Sequence, residues 1–135
     1  MFDAIAFVQE ESAAERRARL AIAKTRSKED QRLKDLNFKA ANILMARLSP
    51  AVASLQSLLG KENIEFVAKP IREPVEVACS RFVALEQTCR EVVAAGGVSK
   101  EPLPDSRSVS SQIADARKSA ALVTQMLATI AKAST

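Results

Sequence analysis

Cys79 and Cys89 are the side chains best suited by type to act as nucleophiles or soft metal ligands. Ten residues apart on one helix, they stand roughly 15 Å from each other along the axis. A disulfide needs Cα atoms within about 7 Å, so a helix through both excludes a bridge between them. Their spacing also lacks the second ligand pair that a zinc site requires, and the chain has no histidine to supply one. Both read as small buried hydrophobes, which points to a reducing setting. The missing histidine also removes the commonest general base, and there is no tyrosine. Gly96-Gly97 lacks the third glycine and the Lys-Ser/Thr pair of the phosphate-cradling loops. Glu10-Glu11, and Glu73 with Glu76, are acid pairs suited to a wet helix face. A four-helix carboxylate di-metal centre needs Glu-x-x-His, which this sequence cannot form. The expectation is a non-enzyme with no cofactor, no metal and no small-molecule substrate.

The feature with a functional reading is basic. Arg16, Arg17, Arg19, Lys24, Arg26, Lys28, Arg32 and Lys34 stand against Glu29 and Asp30 alone, a local net charge of +6. The whole chain carries +4, so the remainder sums to −2. On one continuous helix these cations cover the circumference outside a stripe through Ala18, Ile22, Leu33 and Leu36. One reading is a helix docked by that stripe with the rest solvated, supported by i,i+4 pairs Glu15–Arg19 and Asp30–Lys34. The other is a phosphate-contacting helix, because such a cluster attracts nucleic acid or an anionic surface without reading sequence. No aromatic residue falls between Val8 and Leu36, so base stacking is unsupported. No helix-turn-helix, zinc-finger or RNA-binding signature is present.

The elements that must position these residues are helices. Ala, Leu, Glu, Lys, Arg and Gln dominate, with three glycines, five phenylalanines and no Trp. Val75, Ala78, Phe82, Leu85, Cys89 and Val92 recur by threes and fours, as do Val109, Ile113, Ala116, Ala120, Val123, Leu127 and Ile130. Two narrow-seamed helices joined by a Pro- and Ser-containing loop predict an antiparallel hairpin of residues 74–95 and 106–131. Gly96-Gly97 ends its first helix. The second carries few charges outside its seam, which suits close approach of another helix, so its seam residues are candidates for self-association.

Residues 1–49 contain neither Gly nor Pro and predict a long, partly basic helical arm, capped by Asp3. Its seam runs Ala18, Ile22, Thr25, Glu29, Leu33, Leu36, Ala40 and Ile43. A break near Ser27 is the alternative, since Ser27-Lys28-Glu29-Asp30 resembles a capping box. Residues 10–34 should be wet, and the end with Ala41, Leu44, Met45 and Leu48 buried. Ser49-Pro50 reads as a new helix start and Gly60 as its stop. A short helix and an irregular joint should follow, with the next long helix beginning at Pro74. Phe38, Phe66 and Phe82 are expected in the core. Phe2, Ile5 and Val8 could form an exposed terminal anchor for a partner.

The expected fold is therefore all-α: one domain over 1–135, an antiparallel bundle of three or four long helices with one or two short connecting helices. Residues 50–135 would form its core. Nothing in the sequence resembles a signal peptide or approaches the ~20 apolar residues of a membrane span, so a cytoplasmic or otherwise intracellular protein is expected. The leading functional expectation is a non-catalytic structural or assembly protein, partnered with itself through alanine-rich helix faces. Alternatives are an accessory nucleic-acid-binding protein using residues 16–34, or an adaptor or chaperone for an amphipathic partner helix.

Overall fold

The structure, a computed structural model, describes residues 12–133. They form three long helices, α1 (Ala13–Leu59), α2 (Lys69–Ala94) and α3 (Ser106–Ala133), with one 3-10 turn, Ile64–Phe66, between the first two. The all-α expectation holds; the described residues contain three long helices and a single short connection.

α1 is one unbroken helix of 47 residues. Ser12 caps it, its hydroxyl accepting the Glu15 N–H at 3.1 Å. The described helix starts at Ala13; the cap expected at Asp3 lies outside the described residues. There is no break at Ser27, whose neighbours continue the helix on both sides. Nor does a new helix start at Ser49-Pro50: Pro50 sits inside α1. Its ring removes one backbone bond, but Pro50 is exposed, so water can satisfy the freed Ala46 carbonyl. Ala51, Val52, Leu55 and Leu58 beyond it are all buried and hold the helix on line. Gly60 closes α1 with an ordinary φ of −90°, so its lack of a Cβ is not what ends the helix. Asn63 then turns the chain in the left-handed region at φ 71°.

α2 starts at Lys69, five residues before the expected Pro74. Pro70 falls in the first turn, where no N–H is needed, and exposed Pro74 costs a single bond. Arg72 fastens this corner. Its Nη1 donates to the carbonyls of Ile64, Glu65 and Val67, each at 3.3 Å, while Nε meets Glu76 at 2.5 Å. α2 ends as expected at the glycine pair. Gly97 N–H reaches Val92 O at 2.8 Å and Gly96 N–H reaches Val93 O at 3.0 Å, the two bonds of a Schellman motif.

Side-chain bonds fix the topology. Asn37 meets Gly97 and Ser49 meets Glu86, so α2 runs antiparallel to α1. Arg47 donates to the Ser106 carbonyl and the Ser110 hydroxyl, placing the start of α3 beside the middle of α1. The result is an up-down-up bundle. Its core holds Leu44, Leu48 and Leu55 from α1, Val75, Phe82 and Cys89 from α2, and Val109, Ile113 and Val123 from α3. α3 packs against both α2 and α1. Phe82 is core, but Phe38 is 40% exposed and Phe66 is 66% exposed. Phe38 lies about a quarter turn from the Ala41–Leu44–Leu48 stripe, and Phe66 lies in the 3-10 turn between α1 and α2.

Candidate interaction surface on the arm of the first helix

Every residue from 13 to 36 is exposed, whereas Ala41, Leu44 and Leu48 are core. The exposed stretch therefore ends near Leu36, where α1 enters the bundle, and projects about 36 Å at 1.5 Å per residue. Its root is fixed by close packing. A Cβ added to Gly97 would lie 1.9 Å from the Lys34 carbonyl oxygen, so only glycine lets the α2–α3 loop press this near to α1. Gly97 also has φ +98°, a conformation side chains resist. The Asn37 amide donates to the Gly97 carbonyl at 3.1 Å and completes the joint.

All eight cations of the basic run, Arg16 to Lys34, are exposed along this arm. The stripe expected to dock α1 is exposed with them: Ile22 is 55% accessible, Leu33 58% and Leu36 52%. It continues past the root through Ile43, still half-exposed. At about 100° per residue, the stripe lies roughly a quarter turn from the face carrying Leu44, Leu48 and Leu55. The stripe shares an edge with the buried face, where Ala51 and Leu58 lie, but its centre is turned away from it, and the three-four periodicity of residues 18–43 has no partner among the described residues.

α3 is the reverse case. Val109, Ile113, Ala116 and Val123 are buried, and Ala120, Leu127 and Ile130 are half-buried against the same core. The seam put forward for self-association is occupied by the chain's own α1 and α2. What α3 leaves open is a groove of about 260 Å³ against α1, floored by Leu55, Phe82, Ile113 and Ala116 and rimmed by Ser54, Arg117 and Thr124. Phe2, Ile5 and Val8 lie outside the described residues.

The cysteines are both buried and unbridged. Burial pushes the Cys79 thiol up, and burial followed by the nearby Glu86 charge does the same at Cys89. Raised thiols in a dry core are poor nucleophiles. Glu86 itself is a buried carboxylate that sequence reading missed. Its Oε2 accepts from the Ser49 hydroxyl at 2.6 Å and its Oε1 pairs with Arg90 at 3.0 Å. Oε2 thus ties α2 to α1, while the Arg90 pair stays within α2. The available signal was its position, four residues after Phe82 and three before Cys89, squarely on the core face. Among the described residues no group of three or more Cys, Asp or Glu is arranged to hold a metal, and no helix is long and apolar enough to cross a membrane.

The geometry defines a class: a three-helix bundle carrying a helical arm. Comparison with models of known families, with curated proteins and with solved structures finds no match to this chain.

Proposed function

We propose that the protein is a non-catalytic assembly component in which the bundle is the base and the arm of α1 docks a partner helix. The supporting observation is the exposed line of Ile22, Leu33, Leu36 and Ile43 on a stretch of helix that no other element covers among the described residues. Covering a large aliphatic side chain is worth about 1.5–3 kcal/mol, so such a line rewards a partner that fills it. A lone solvated helix is marginal by itself, and burial of an amphipathic face is the usual source of its stability. The α3 seam put forward for self-association is taken up by the chain's own core, so on this reading association runs through the arm.

The test is association measured two ways at about 100 µM: light scattering for self-assembly, and titration with synthetic amphipathic helices of either charge sign. Association that disappears in the double variant Leu33→Glu/Leu36→Glu supports the reading. A chain that stays monomeric and binds neither helix removes it.

A second reading rests on the eight exposed cations, which suit the phosphates of nucleic acid. It predicts binding to generic duplex DNA or RNA at ~50 mM salt, with log affinity falling linearly with log salt. Arg16→Glu/Arg17→Glu/Arg19→Glu should abolish it. No binding at that salt removes this reading.

A further inference from the structure

The charges beside the stripe identify which kind of helix fits it. On the wheel of α1, Arg26 flanks the Ile22–Leu33–Leu36–Ile43 line on one side, and Arg32 and Lys39 flank it on the other. These are the positions that meet a partner's edges when two helices pair, and all three side chains are exposed. Asp30 stands one turn beyond Arg26, and Asp35 lies three residues after Arg32 and four before Lys39. Arg19 and Lys28 add to the same two edges, so cations still outnumber carboxylates there, and Glu15 and Glu29 sit within the stripe itself. We propose that the arm docks an acidic amphipathic helix from a different protein, with aliphatic residues covering Ile22, Leu33, Leu36 and Ile43 and carboxylates meeting Arg26, Arg32 and Lys39.

A second copy of this chain is the disfavoured occupant. Two arms face to face would oppose net charges of +4 each and set more cations than carboxylates along both edges. Nucleic acid satisfies the cations but leaves the aliphatic line in water. An acidic amphipathic helix meets both features. Glu29 and Thr25, polar positions within the line, would fix the register by demanding a basic or hydrogen-bonding residue opposite.

This inference rests on the reading of the arm as a helix-docking element, and the experiment separates the two. The full chain is titrated with a synthetic helix of about four heptads, leucine at the core positions and glutamate at the edges, and with its isomer carrying lysine at the edges. Light scattering runs in parallel, and circular dichroism checks that the exposed substitutions leave helix content unchanged. The expected result is binding of the acidic helix only, weakened about tenfold or more by Leu33→Glu/Leu36→Glu and separately by Arg26→Glu/Arg32→Glu. Equal binding of the lysine isomer, or acidic-helix binding indifferent to either double variant, overturns the inference. A homodimer broken by Leu33→Glu/Leu36→Glu, with no acidic-helix binding, overturns it while sparing the docking reading. Binding of duplex DNA alone, unaffected by the leucine substitutions, overturns both.

Discussion

Gly96 and Gly97 are neighbours with the same identity and different duties. Both have positive φ, +69° and +98°, so alanine at either is strained by about 1 kcal/mol. Gly96 has open space where a Cβ would stand, whereas Gly97 has the Lys34 backbone there. Gly97→Ala must therefore push the loop off α1 and break the Asn37 bond as well. Urea unfolding should show Gly97→Ala losing about 2–4 kcal/mol and Gly96→Ala close to 1. The cysteines give a pH prediction. Their thiols are raised by burial, so folding favours the neutral form. The contribution is complete below the ordinary thiol pKa of about 8.5 and is lost as pH rises through the folded value. The urea midpoint should fall between pH 8 and pH 10, and it should fall less in Cys79→Ala/Cys89→Ala.

At the scale of elements, apolar periodicity was a sound guide and proline was not. The Val75–Val92 and Val109–Ile130 seams are where α2 and α3 meet the core, and the glycine pair ends α2 where the chain was expected to turn. Pro50 and Pro74 read as boundaries, yet both stand inside helices. A proline in a helix interior costs about 3 kcal/mol. Four buried apolar residues follow Pro50 in α1, and burying each Val or Leu is worth about 1.5–3 kcal/mol, so packing wins. Local rules cannot register that outcome, because it depends on residues of α2 and α3 far away in sequence. The same comparison yields a prediction. Pro50→Ala restores the N–H to the Ala46 carbonyl at an exposed site and should stabilise the protein by about 1–3 kcal/mol, read as a higher Tm.

For the whole molecule, charge and solvent exposure divide at the same place. Residues 16–34 of the arm carry +6 while the rest of the chain sums to −2, and the arm is wet where the bundle is dry. The basic run was legible because charge is written in single letters. That its apolar stripe lacks a cover was not legible, since periodicity records that a face is greasy and says nothing of what lies opposite. Arg47, Ser49 and Glu86 were missed for a related reason: each matters through a bond to another helix. The division predicts a graded hydrogen exchange along one helix. Amides of residues 13–33 should exchange orders of magnitude faster than those of 41–58, and mass spectrometry of the intact chain would register the step near Lys34. The glycine joint at Lys34 also turns α1 into a calliper. A partner docked around Ile22, as proposed, would ride about 18 Å beyond the joint, twelve residues out. Because the rod has no hinge on either side of that fulcrum, a sideways pull on its tip must arrive as torque on the loop between α2 and α3.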